Sequence, residues 1–393
     1  MKTHSSLSQT ALLLGLFLAM AASCSAATKR YVMYVGTYTN NGSKGIYAYD
    51  YNPATGKLTP IGLAAATENP SFLVADSSGT HLYAVNETEN YGGAASGGVT
   101  AFSIDRTSGK LKKLDEVASH GADPCFISLD RSGKYVLVAN YTGGNVAVFP
   151  VRPDGGVGEA SSVMQDEGAL GPNNVRQEKP HAHWIQTSAR NRFAYVSDLG
   201  MDRVLIYKFD ASTGKLSRGD SGEASKEFFS ATLAPGTGPR HVAFSANGNF
   251  MYVIGELDST ITVFVNNAKE TYQPIQKISA LPDDFKGKNT AAEIAIHPNG
   301  KYLYSSNRGD DSIAVFSIDA ASGKLTFVQR VPSGGKTPRQ FAIDPAGTHL
   351  LAANQDSGNI VKFTIDPVTG KLTNESEVAK VPSAVCVVFV ERD

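Results

Sequence analysis

Pro338-Arg339-Gln340-Phe341-Ala342-Ile343-Asp344-Pro345-Ala346-Gly347, followed by Leu350-Leu351-Ala352-Ala353-Asn354, is the stretch on which the fold turns. It reads as a strand rising from a proline, a turn at Gly347, and a second strand returning to an Asn. The same pattern starts at Pro70, Pro124, Pro180, Pro239, Ala292 and Pro382, at intervals of about 45 to 60 residues. Its first turn falls at Gly79, Gly133, Gly248, Gly300 and Gly347, with Arg190-Asn191 in the third copy. A third strand follows, as in Val146-Ala147-Val148-Phe149 and Ile313-Ala314-Val315-Phe316. A Thr/Ser-Gly-Lys-Leu turn, at Gly56, Gly109, Gly214, Gly323 and Gly370, then opens a fourth strand. These turns lack the spaced upstream glycine and following helix of a phosphate loop, and read as hairpins.

Four antiparallel strands repeated radially predict an all-β, seven-bladed β-propeller, in which the apolar faces of neighbouring blades bury one another. Residues 31 to 66 supply three strands with no first strand ahead of them, and Ala384-Val385-Cys386-Val387-Val388-Phe389-Val390 stands alone at the other end. The seventh blade is therefore expected to be closed by strands from both termini. A chain of 393 residues is long enough for two or three domains. A repeat that fills it predicts one, over residues 31–393.

Lys2 and His4 precede the apolar run from Ala11 to Met20, and small residues continue to Ala27. Residues 1–27 read as a secretory signal peptide, which predicts a periplasmic or secreted protein without a membrane span. Ala21-Ala22-Ser23-Cys24 loosely matches a lipobox, making Cys24 a candidate lipid anchor of a lipoprotein. A formal net charge of -1 gives no overall field for nucleic acid or an anionic membrane surface. Beyond Cys24 only Cys125 and Cys386 remain, too few for a disulfide framework. A monomer is expected. Gly219-Asp220-Ser221-Gly222 echoes a serine-protease nucleophile, but no matching His and Asp context accompanies it, so it reads as chance.

In a blade the first strand begins, and the second ends, at the same end of the central channel. The beginning column reads Ser71, Cys125, His183, Arg240, Ala292, Arg339 and Ser383, and the ending column Tyr38, Glu87, Tyr141, Leu199, Glu256, Arg308 and Gln355. Charge collects there. The next column, Phe72, Phe126, Trp184, His241, Glu293, Gln340 and Ala384, alternates to the opposite face and is expected to pack between blades, with His241 and Glu293 pairing. His181 is expected to share the direction of His183. A mouth with His183, Arg240, Glu256, Arg308 and Arg339 suits a small polar anion or sugar derivative, although an ion-pair network joining blades would use the same residues.

Pro180-His181-Ala182-His183, Gly238-Pro239-Arg240-His241, Gly255-Glu256-Leu257, Ser306-Asn307-Arg308-Gly309 and Ala353-Asn354-Gln355-Asp356 carry a resemblance to a known family. The chain resembles the seven-bladed propeller lactonases that include bacterial 6-phosphogluconolactonase and the fungal carboxymuconate cycloisomerase. The resemblance implies a lactonase, a carboxylic ester hydrolase, acting on a small-molecule lactone or sugar acid without cofactor or metal. It implies His183, Arg240, Glu256 and Arg308 as the catalytic set; Arg339, His181, Glu87 and Gln355, at the same channel end by register, are expected to be substrate-binding residues. Glu256 or His183 would be the general base, and Arg240 would stabilise the oxyanion. Two rival readings stand beside hydrolysis: a non-catalytic exported propeller that binds a ligand or partner, and a lactonising cycloisomerase. Calcium-dependent lactonases on other propellers collect Asn and carboxylates in the channel. Here the Asn column recurs in most blades, where it satisfies turn backbone instead.

Overall fold

Residues 29–218, 230–267 and 271–392 are described by the computed structural model of the chain. The expected signal peptide with Cys24, and the Gly219 to Gly222 motif, lie outside the described residues. Seven antiparallel sheets follow one another in chain order, each of four strands except the third, where Ser230–Thr232 adds a fifth. One short 3-10 turn, Asn40–Gly42, is the helical structure found among the described residues.

The seventh sheet is built from both ends of the chain. Ala384–Arg392 runs antiparallel to Arg30–Thr37, in register from Arg30 opposite Arg392 to Gly36 opposite Cys386, and Gly45–Asn52 and Lys57–Ala66 complete it. Gly36 is required by close approach: a Cβ there would lie 2.4 Å from the Pro70 carbonyl oxygen. Third-strand aromatics Phe102, Phe149, Tyr207, Phe264, Phe316 and Phe363 are all 2% exposed or less. Burying each contributes about 1.5–3 kcal/mol, so the repeat carries its own core from blade to blade. The second-strand Asn residues clasp the link that arrives from the preceding blade. Asn140 Nδ2 donates to the Ser119 carbonyl at 3.0 Å and Asn354 Nδ2 to the Ser333 carbonyl at 3.1 Å.

Each innermost strand from the second blade to the sixth carries a β-bulge at its start. Pro124 pairs with Asn140 and Phe126 with Ala139, so Cys125 is extra; His183, Arg339, and the pairs Arg240-His241 and Ala292-Glu293 occupy the same place. A bulge breaks strict alternation, so consecutive side chains turn to the same side of the strand. This is why Phe126 departs from the expected packing between blades; Phe72, just ahead of the unbulged strand Leu73–Ala75 of the first blade, departs from it as well. The Phe72 and Phe126 rings lie 5.8 and 5.2 Å from His241, which stands on a non-adjacent blade in both cases. The rings meet on the channel axis and close it beneath the charged column. His241 does pair with Glu293, at 3.0 Å.

Candidate functional site

Above that aromatic plug, at the end where first strands begin, lies a cavity of about 370 Å³. Glu87, His183, Glu256, Arg308 and Arg339 line it, with Tyr38, Cys125, Tyr141, Arg176 and Thr290. Arg240 is not on the wall: it is 2% exposed and lies behind Glu256. Gln355 and His181 are also absent from the lining. The His181 ring stacks on Tyr141, with centroids 4.4 Å apart, and its Nε2 lies 3.1 Å from Glu178 Oε1. It precedes the strand Ala182–Thr187 and the bulge at His183, so the two imidazoles point different ways.

Glu256 is the centre of the charged wall. It directly follows the strand Phe250–Gly255, and its N–H donates to the Gly238 carbonyl at 2.8 Å. Arg308 Nη2 and Arg240 Nε lie 3.0 and 3.1 Å from its Oε2, while Arg176 Nη2 donates to Oε1 at 2.5 Å. Two of these guanidiniums are fixed in turn by the fifth blade's backbone. Arg240 donates to the Ala292 carbonyl at 2.7 Å, and Arg308 to those of Thr290 and Ala291 at 3.2 Å. Burial alone would raise the Glu256 carboxyl, but Arg308, Arg240 and Arg176 outweigh it and bring the pKa down to about 2. Glu256 is thus a fixed carboxylate and a weak proton acceptor.

His183 presents Nε2 4.0 Å from Glu256 Oε2 and Nδ1 3.7 Å from Cys125 Sγ. Burial, then the Arg240 charge, hold its pKa well below the ordinary imidazole value, so it is neutral at neutral pH and keeps a lone pair. Burial pushes the Cys125 thiol far up, leaving it protonated beside that ring. Across the cavity, Tyr38 Oη donates to Glu87 Oε1 at 2.8 Å, and the Arg339 guanidinium lies 5.3 Å over the Tyr38 ring. Arg339 reaches Glu87 only at 3.8 Å, and among the described residues its N–H groups make no hydrogen bond. They are open donors on the wall.

Of the two lining residues that sequence reasoning missed, Thr290 and Arg176, the charged one is Arg176. It lies in the connection 166–181, which has no counterpart of similar length among the links 119–123, 280–289 and 333–337. That excess length was the available signal. Among the described residues, no three His, Cys, Asp or Glu side chains come together to hold a metal ion. A larger cleft, about 990 Å³, opens at the opposite end of the third and fourth blades. Its described lining has Arg131, Arg190 and Arg192 but no carboxylate or imidazole, so it lacks an acid–base pair and the smaller cavity is the better candidate.

Residues 32–389 match the family described as lactonase, 7-bladed β-propeller. The 6-phosphogluconolactonase of Bacillus subtilis is 38% identical over 310 residues, 79% of this chain and 84% of that protein. The 6-phosphogluconolactonase of Formosa agariphila is 33% identical over 311 residues, 78% of this chain and 84% of that protein. Among solved structures, the periplasmic gluconolactonase of Pseudomonas aeruginosa superposes with a TM-score of 0.84 at 33% identity, covering 92% of this chain and 99% of that one.

Proposed function

The chain belongs to the seven-bladed β-propeller lactonases, and from that membership we propose that it hydrolyses a sugar lactone in the cavity at the channel end. The observation that carries this reading is the pairing, on one small wall, of the neutral imidazole of His183 with the open guanidinium of Arg339. Ester hydrolysis needs a base for water and a donor for the carbonyl oxygen as it becomes an oxyanion. His183 takes the proton of a water that Glu256 orients, and the water oxygen bonds to the ring carbonyl carbon. Arg339 and Arg308 stabilise the oxyanion. When the tetrahedral adduct collapses, the C–O bond to the ring oxygen breaks, and the proton on His183 passes to that oxygen. Glu256 is too acidic to be the base in this scheme, and Arg240 holds Glu256 in place instead of touching the substrate.

Export is part of the same proposal. It rests on the signal-like residues 1–27 and on the likeness to a periplasmic gluconolactonase. The test of function is a pH-stat assay of purified protein on D-glucono-1,5-lactone, its 6-phosphate and a muconolactone, corrected for spontaneous opening. Hydrolysis of a sugar lactone that His183→Asn abolishes supports the reading. Turnover of the muconolactone alone would favour the cycloisomerase instead, and no turnover of any would favour a binding protein.

A further inference from the structure

Of the four guanidiniums around the cavity, Arg176 alone comes from a connection between blades, and its side chain is 36% exposed. It stands at the boundary between the cavity and solvent. Its backbone is held: the neighbouring Gln177 is buried, donates from Nε2 to the Leu199 carbonyl at 2.9 Å, and accepts the Asn173 N–H at 3.1 Å. The guanidinium itself is held at one corner. Nη2 donates both to Glu256 Oε1 at 2.5 Å and to Tyr141 Oη at 3.1 Å. Among the described residues, Nε and Nη1 have no hydrogen-bond partner, so three N–H donors remain available, that of Nε on one flank of Nη2 and those of Nη1 on the other.

A planar fork pinned at Nη2 fixes the direction of its Nε–H on one flank and its Nη1–H on the other before anything binds, which suits charge-assisted hydrogen bonds to a carboxylate or phosphate. The charges agree. Arg176, Arg240, Arg308 and Arg339 face the carboxylates of Glu87, Glu256 and Glu293, while His183 and His241 are kept neutral chiefly by burial. One positive charge is left over on the protein side. Glu256 also keeps Arg240 and Arg308 if Arg176 turns toward a ligand, so its carboxylate is never stranded.

We propose that Arg176 is the specificity-determining residue of this site, reading a phosphate or carboxylate substituent on the lactone, remote from the ring carbonyl that is attacked. The proposal rests on the lactonase reading and names the substrate class within it: a lactone that carries an anionic group. Lys would keep the charge but not the fork, and Gln would lose both.

The test compares wild type, Arg176→Lys and Arg176→Gln on neutral D-glucono-1,5-lactone, its 6-phosphate, and a glucarolactone carrying a carboxylate. Wild type should prefer one of the two anionic lactones. In Arg176→Gln the ratio of kcat/KM for that lactone over the neutral one should fall about 10- to 100-fold, chiefly through KM, as expected for losing a hydrogen-bonded charge. Arg176→Lys should fall between. The preferred anion identifies phosphate or carboxylate as the ligand. Equal losses on neutral and anionic lactones, or no anionic preference in wild type, would overturn the proposal and make Arg176 a clamp on Glu256. Calorimetric binding of 6-phosphogluconate against gluconate separates the two readings: if no lactone is turned over, the hydrolase reading fails, while a binding preference lost in Arg176→Gln still upholds the role of Arg176. Thermal melts of each variant establish that it is folded.

Discussion

Arg240 Nε lies 3.1 Å from Glu256 Oε2, with both side chains almost wholly buried. Behind the pair, Arg240 Nη1 lies 3.3 Å from His241 Nε2, and His241 Nδ1 faces Glu293 Oε1 at 3.0 Å. The fourth and fifth blades are therefore joined beneath the cavity by one polar chain. Burial, with the charges of Arg308 and Arg339, lowers the Arg240 pKa to about 9 even against the opposing pull of Glu256 and Glu293, so the guanidinium depends on those carboxylates to stay charged.

Arg240→Met should consequently act on stability as well as activity. It keeps the bulk of the side chain but leaves Glu256 and His241 each short of a buried partner. Breaking a buried pair from one side costs about 3–5 kcal/mol; with Arg308 and Arg176 still on Glu256, the loss should fall near the lower figure. Urea denaturation at pH 7 measures it. A loss below about 1 kcal/mol would mean that the chain through Arg240 carries little of the fold's stability.

The pH dependence of hydrolysis should report His183. A base works in its deprotonated form, and burial with Arg240 depresses the His183 pKa below the ordinary value of about 6.5. The profile of kcat/KM should therefore stay flat through neutrality and turn down only on the acid side of pH 6.5. His183→Asn should remove both that limb and about 10²- to 10⁴-fold of activity. The linkage has a matching sign in stability. The unfolded chain binds a proton on this His where the folded chain does not, so stability is present above the unfolded pKa and is lost as pH falls. An acid limb that survives in His183→Asn would assign the base elsewhere.

Closure of the ring makes a prediction that is independent of chemistry. Ala384–Arg392 is the innermost strand of a sheet whose other three strands come from the opposite end of the chain. Deleting residues 384–393 exposes the inner edge of Arg30–Thr37 and strips the core of Val385 and Val387, both no more than 3% exposed. The truncated chain should lack a cooperative thermal transition. Gly36→Ala tests the same seam more gently. Its Cβ would meet the Pro70 carbonyl oxygen at 2.4 Å, backbone that has little room to yield, so the melting temperature should drop by several degrees.

How much of the site was legible depended on whether a residue sat in register with its copies. Glu87, His183, Glu256, Arg308 and Arg339 occupy equivalent positions in successive repeats, so aligning the copies placed them on one rim, and the cavity wall contains all five. Arg176 has no equivalent, and no register argument could reach it. The bulges hid a different kind of information. Period-2 alternation sends Phe126 and His241 away from the channel, and a single extra residue in each strand turns them inward to close it. His181 was misdirected by the same device. Its ring supports Tyr141, a role that depends on where the strand begins and not on residue type.

One departure from the repeat passed unnoticed in the sequence and has a measurable consequence. The position filled by Asn140 and Asn354 is Asp198 in the third blade, where an amide donor has become a carboxyl. Its neighbour is Asp166, on the link arriving from the second blade, and Oδ2 of each carboxyl is buried without any other hydrogen-bond partner among the described residues. The other Asp198 oxygen accepts from the backbone N–H groups of His181 and Met201, both at 3.0 Å, and the other Asp166 oxygen accepts from Tyr207 Oη at 2.5 Å. One proton must lie between the carboxyls, and burial raises both, Asp198 to about 6. An acid with a raised folded pKa holds its proton where the unfolded chain, near 3.9, has lost it. Stability is then full at acid pH and falls as pH rises from about 4 through about 6, the reverse of the usual aspartate case. Asp198→Asn restores the amide, keeps an oxygen for His181 and Met201, and leaves Asp166 free to ionise. It should raise stability by about 1–3 kcal/mol at pH 8 and change it little at pH 4. Destabilisation of this variant at pH 8 would show that the shared proton is worth more to the third blade than the amide found in its neighbours.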